Sequence, residues 1–143
     1  MPSTIVSKGS TTWNGDLFNG SGTTRLDSSG TGSFDVTWQA RAEEHGSTTS
    51  PEELIASAHA TCFSMALSKE LADNDTPPTT VQTSAEVSFV AGTGITGIHL
   101  TTTVEAPGIA EDDFQRIAEA AKSGCPVSQA LAGTEITLTA SLA

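Results

Sequence analysis

Basic residues are scarce in this chain. Six Lys plus Arg stand against 17 Asp plus Glu, for a formal net charge of −11 over 143 residues. So acidic a protein is repelled by nucleic acid and by anionic membrane surfaces, and neither is expected as a partner. Long apolar runs are missing as well. No stretch could span a bilayer, and the opening "MPSTIVSKGS" lacks the apolar core of a signal peptide, so the expectation is a soluble, cytoplasmic protein. Cysteine occurs only twice, with no CxxC and no zinc-type spacing, which excludes a secreted disulfide scaffold. There is no G-x-S-x-G, no P-loop and no G-x-G-x-x-G following a strand, so serine-hydrolase and nucleotide-binding readings have no motif to rest on. Low-complexity blocks are absent too, while 36% of the residues are apolar, and disorder is therefore not expected. The length suits a single domain spanning 1–143.

What is present changes character along the chain. Residues 1–49 are rich in Gly, Ser and Thr, with strand formers between the turn signals "NGD", "NGSG" and "SSGTG". They read as short antiparallel strands, the last being "DVTWQAR", a strand ending near Arg41, before a polar loop. At Ser50 the sequence "SPEE" has the form of a capping box with Pro at the first helical position. A helix is predicted over 50–73, with Leu54, Ile55, Ala58, Cys62, Met65 and Ala66 recurring at helical spacing. It is nearly uncharged all round, which asks for burial on most sides. One small sheet cannot supply that cover, and a partner subunit is its economical source. Over 79–143 the pattern gives a strand at 81–90, a second strand as its hairpin partner, an amphipathic helix, a short helix at "CPVSQAL" and a closing strand. The helix stripe is Phe114, Ile117, Ala118 and Ala121. The fold class is α+β with mostly antiparallel sheet.

The two cysteines carry the chemical question, because only the thiolate is nucleophilic. Cys125 would stand at the start of a helix, where backbone N–H groups favour its thiolate. Cys62 lies in mid-helix among apolar neighbours, where burial raises the pKa, and by itself it reads more readily as a buried small hydrophobe than as a reagent. Three neighbours bear on that reading. His59 lies one turn before Cys62 on the same face, as a core histidine or as an imidazole near the sulfur. Arg41 could hold a thiolate in its charged state or be a solvated surface residue. Glu52 could orient that guanidinium or simply complement the helix N-terminus. Glu52 and Cys62 are ten residues apart, about 15 Å of helix rise, so one straight helix cannot bring both to one site. Two such helices packed antiparallel across a two-fold axis could. Zinc bound by His45, His59 or His99 with the cysteines is a weaker alternative, since these residues spread over loop, helix and strand.

The quoted segments "WNGDLFNGSG", "SPEELIASAHATCFSMAL", "PGI", "GCPVSQAL" and "EITLTASL" together resemble the OsmC branch of the OsmC/Ohr family of thiol peroxidases, over essentially the whole chain. The resemblance implies an OsmC-like fold, with curved antiparallel sheets wrapped around central helices in an intertwined homodimer. It implies reduction of organic hydroperoxides, and less efficiently of hydrogen peroxide, as a defence against oxidative stress, with no cofactor or metal. The reductant is a thiol, a dihydrolipoyl-type dithiol being one candidate. The resemblance assigns Cys62 as the peroxidatic cysteine and Cys125 as the resolving one, joined in an intramolecular disulfide. Glu52 is the family's glutamate, and Arg41 best matches its arginine, with Arg25 as the fallback. A tertiary arginine acting on Cys62 would reverse the order of acidity that local position alone suggests. Two other readings stay open: a binding protein with two buried cysteines, and a relative working in other thiol chemistry.

Overall fold

Glycine-rich turns cut the first third of the chain into short strands. The computed structural model describes residues 2–143 and resolves them into two compact units divided after Pro51. In the first unit, β1 (Gly9–Asn14), β2 (Ser21–Leu26) and β3 (Ser33–Val36) form an antiparallel meander in the order β1-β2-β3. The β1–β2 turn is tied by the Trp13 indole, whose Nε1 donates to the carbonyls of Gly15 and Asp16 at 3.1 and 3.2 Å. Gly20 closes the turn because nothing larger fits, as a Cβ there would lie 2.3 Å from the Asp16 carbonyl oxygen.

The segment predicted as a strand ending at Arg41 is instead split. The strand stops at Val36, and α1 (Trp38–Ala42) follows, placing Arg41 in a helical turn. Thr37 is the reason: it sits in extended conformation, and its hydroxyl accepts from the Ala40 N–H at 3.3 Å, capping the helix. The alternation in "DVTWQAR" survives a change of element at its centre, which period-two counting cannot detect. Trp38 meets Phe18 edge to face, with ring centroids 5.7 Å apart.

The second unit holds α2 (Pro51–Asp73) from its second residue onward, β4 (Thr80–Val90), β5 (Gly94–Glu105), α3 (Glu111–Gly124), α4 (Pro126–Ala130) and β6 (Ile136–Leu142). α2 ends where Asp75 takes a left-handed conformation, letting Thr76 N–H reach the Leu71 carbonyl and Asp75 N–H that of Ala72. This crossed pair of bonds satisfies the last turn's carbonyls. The sheet order is β4-β5-β6. The expected hairpin of β4 and β5 is antiparallel, with a bulge at Ser88/Phe89. The pairing of β5 with β6 departs from the expected antiparallel sheet, since it is parallel, making the sheet mixed. α3 and α4 form the crossover between these strands and return the chain in its original direction, as a parallel neighbour requires.

The core of this unit is built from three elements: Phe63, Leu67 and Leu71 of α2, Leu100 and Val104 of β5, and the predicted α3 stripe Phe114, Ile117, Ala118 and Ala121. On α2 the fully buried line is His59–Phe63–Leu67–Leu71; of the positions expected from the sequence, Leu54, Ile55, Cys62 and Ala66 are half-buried, Cys62 and Ala66 against the core, while Ala58 and Met65 are exposed in the single chain. The helix is apolar on several sides, so periodicity could not choose among them. Met65 remains 70% exposed in the single chain. A polar seam also anchors α2 to the sheet: Ser64 donates to Thr83 at 2.8 Å, and Thr83 shares a 3.0 Å bond with Thr102.

Candidate active site

The fold brings two sulfurs together from positions 62 and 125. Cys62 lies in the middle of α2, on the flank of the buried line. Cys125 is held by the junction of two helices. Its N–H bonds the Ala121 carbonyl at 2.9 Å, ending α3, and its carbonyl accepts from Gln129 N–H at 3.0 Å, starting α4. Gly124 and Pro126 explain the break, one ending a helix and the other fitting the first position of the next. Both cysteines are free thiols, and their sulfurs lie within hydrogen-bonding reach of each other. Cys125 has 0% exposure, whereas Cys62 keeps part of its surface open.

Their surroundings push the two thiols in opposite directions. Burial raises Cys62 above the ordinary thiol value, and its hydrogen bond to Cys125 adds to the rise against a smaller opposing effect from the Val127 N–H. Burial also works against the Cys125 thiolate, but there it is outweighed. Hydrogen bonding from Cys62, from the N–H and hydroxyl of Ser128, and from the Val127 N–H brings Cys125 below the ordinary value. Cys125 makes no close capping bond of its own. The N–H groups of the first turn of α4 act on the sulfur at longer range, in the direction its position in the sequence suggested. Within the pair, the hydrogen bond runs from the Cys62 thiol to the Cys125 sulfur.

Behind Cys125 stands a second buried pair. His59 Nε2 and Ser128 Oγ are 2.7 Å apart, linking α2 to α4, and His59 Nδ1 has no hydrogen-bond partner. Ser128 carried no signal in the sequence, although its spacing from Cys125 at the start of a short helix puts it across the first turn from the sulfur. Burial holds the His59 imidazole below its ordinary pKa of 6.5. The unfolded chain therefore binds this proton more readily than the folded one. Stability contributed by neutral His59 is present above about pH 6.5, the unfolded value, and is lost as pH falls below it through the lowered pKa of the folded state. Denaturant unfolding at about pH 7.5 and about pH 5.5 is expected to show the loss, and His59→Gln to flatten it over the same window.

The other expected site residues are placed as follows. Glu52 is buried, with 6% exposure, in the first turn of α2. Since α2 is one continuous helix, the rise of about 15 Å separates Glu52 from Cys62 along it. Arg41 is half-buried on α1 of the first unit. Arg25 lies exposed on β2, its Nη1 donating to Thr12 Oγ1 at 3.4 Å. His99 is on β5, bonded through Nδ1 to Thr137 at 2.6 Å, and His45 is in the loop after α1. Among the described residues no group of three or more His, Cys, Asp or Glu side chains is placed to hold a metal, and no helix is long and apolar enough to cross a membrane.

Comparison with known proteins bears on the family and the fold. The OsmC-like protein family model matches residues 44–141. The peroxiredoxin OsmC of Escherichia coli K12 is 45% identical over 139 residues, covering 94% of this chain and 95% of its own length. Two solved structures share the fold. An OsmC-like protein from Mycoplasma pneumoniae aligns with a TM-score of 0.75 at 15% identity, covering 98% of this chain and 99% of its own. The organic hydroperoxide resistance protein OhrB of Bacillus subtilis aligns with a TM-score of 0.68 at 23% identity, covering 97% and 98%. With a matched family model over most of its length and a near-full-length relative at 45% identity, the chain belongs to the OsmC-like protein family.

Proposed function

We propose that this protein reduces organic hydroperoxides at the expense of thiols, with Cys62 as the attacking residue and Cys125 as the resolving one. The observation that carries the reading is the meeting of two free thiols, one partly open and one fully enclosed, from separate helices of the fold. The class, a peroxidase, rests on the curated relative named a peroxiredoxin at 45% identity over nearly the whole chain. Access supports Cys62 for the first step, since a peroxide cannot approach a sulfur with no exposed surface. Acidity in the single chain favours Cys125, and the shared hydrogen bond lets both facts serve one sequence of steps.

As peroxide arrives, the Cys62 proton moves to Cys125. The Cys62 thiolate attacks the distal peroxide oxygen, the O–O bond breaks, and sulfenic acid forms while alkoxide leaves. The alkoxide takes up the proton from Cys125 and departs as alcohol. The Cys125 thiolate then attacks the Cys62 sulfenic sulfur, forming the S–S bond and releasing hydroxide. An external thiol, a dithiol in the favoured form, returns both cysteines to the reduced state. Arg41 takes the part of a guanidinium that stabilises the Cys62 thiolate in the first step, with Arg25 as the alternative, and Glu52 orients it through a paired carboxylate contact.

A homodimer completes this reading. Met65 is largely exposed on an otherwise apolar helix, a surface suited to a second copy. Packing two such helices antiparallel would carry the Glu52 of each toward the other's cysteines. Sedimentation is expected to show a dimer; an active monomer would overturn this part.

The activity is tested by following the decay of cumene hydroperoxide, a fatty-acid hydroperoxide and hydrogen peroxide with a monothiol or a dithiol present. The expected result is turnover of all three, fastest for the organic peroxides and with the dithiol. No peroxide decay above that of the thiols alone would favour a relative devoted to other thiol chemistry.

A further inference from the structure

We infer that His59 is a positioning residue for the resolving thiol: through the Ser128 hydroxyl it fixes a hydrogen-bond chain directed at the Cys125 sulfur. His59 is fully buried, and its Nε2 lies 2.7 Å from Ser128 Oγ. Ser128 is itself buried and borders Cys125 across the first turn of α4. An imidazole enclosed with one nitrogen unpartnered is a costly occupant of a core position, where an apolar side chain of similar size would carry no polar desolvation. The contact with Ser128 is what an apolar residue there could not supply.

The direction of the chain follows from counting protons. A serine hydroxyl has one proton to donate, and a neutral imidazole has one N–H. If that N–H were on Nδ1, Nε2 would draw the Ser128 proton toward itself and away from the sulfur. A buried donor would also be left with no acceptor. With the N–H on Nε2, His59 donates to Ser128 Oγ, and the Ser128 proton is free to point at Cys125. The orphaned Nδ1 is then only a bare lone pair. Desolvation keeps the ring neutral, which preserves this arrangement. His59 and Ser128 thus hold a donor on the Cys125 sulfur, favouring its thiolate whenever Cys62 is occupied as sulfenic acid and no longer donates.

The role in turnover rests on the proposed assignment of Cys125 as the resolving cysteine; the effect on the Cys125 thiolate does not. The test therefore has two arms. In a Cys62→Ser background, the ultraviolet absorbance of the Cys125 thiolate is titrated with His59 intact and with His59→Leu, His59→Gln or Ser128→Ala. His59→Leu and Ser128→Ala are each expected to raise the apparent pKa of Cys125 by roughly one unit, the weight of one hydrogen bond. His59→Gln, which keeps an N–H donor near the place of Nε2, is expected to recover most of the shift. In the protein with both cysteines, single-turnover measurement is expected to show disulfide formation slowed about threefold to tenfold relative to peroxide consumption in the same two variants. An unmoved titration in both His59→Leu and Ser128→Ala, with circular dichroism unchanged, would overturn the inference, as would a failure of His59→Gln to restore it. Were the peroxidase reading itself wrong, the protein with both cysteines would consume no peroxide above the thiol background, while the titration arm still gave its answer.

Discussion

Cys62→Ser is expected to lower thiol-dependent hydroperoxide reduction by at least about a thousandfold while leaving the fold intact, because it removes the nucleophile and not a supporting contact. Serine differs from cysteine by one atom, and Cys62 borders the core without filling it. The hydroxyl does not ionise in the range where a thiol does, and the Cys125 sulfur that takes the Cys62 proton is too weak a base to activate an alcohol for attack on peroxide. Steady-state peroxide decay with a dithiol reads the loss, and circular dichroism checks the fold. Cys125→Ser is a different lesion: it permits one oxidation and stalls the cycle at the sulfenic acid. Equal retention of turnover in Cys62→Ser would mean that the enclosed Cys125 reaches peroxide after all.

The largest expected effect on stability comes from Phe114→Ala. Phe114 is fully enclosed on α3, in the cluster with Phe63, Leu67, Leu71, Leu100 and Val104. Truncation removes the ring's burial and leaves a cavity that α2, α3 and the sheet cannot all close, for a cost of about 3–5 kcal/mol. Domains of this size have total stabilities of only about 5–15 kcal/mol, so the variant should be close to marginal at physiological temperature. Denaturant unfolding measures the change. A loss under about 1 kcal/mol would show that α3 is held by something other than this core.

How far the sequence carried differs by element. The α3 stripe, the alternation of β4 and the helix start at Pro126 were legible because each has one buried face and a clear terminator. α2 was legible as a helix, but not in orientation. Its apolar residues surround it, so the line actually buried, His59–Phe63–Leu67–Leu71, has no stronger period than its neighbours. Val36 to Arg41 misled because a capping threonine sits inside an alternating pattern. The parallel pairing of β6 was hidden for a different reason: strand direction depends on the crossover, which no local pattern encodes. At the site, the cysteines were found by motif and the local bias of Cys125 by its position. The Ser128–His59 contact joins residues far apart in the chain and has no signature at all.

The central claim is that Cys62 is oxidised first and Cys125 resolves it. The most direct measurement treats Cys125→Ser with one equivalent of organic hydroperoxide in the presence of a sulfenic-acid probe, followed by peptide mass mapping, with Cys62→Ser treated in parallel. The prediction is a label on Cys62 in the first variant, close to the peroxide consumed, and no label on Cys125 in the second. A label on Cys125 in Cys62→Ser, with Cys62 unlabelled in Cys125→Ser, would contradict it.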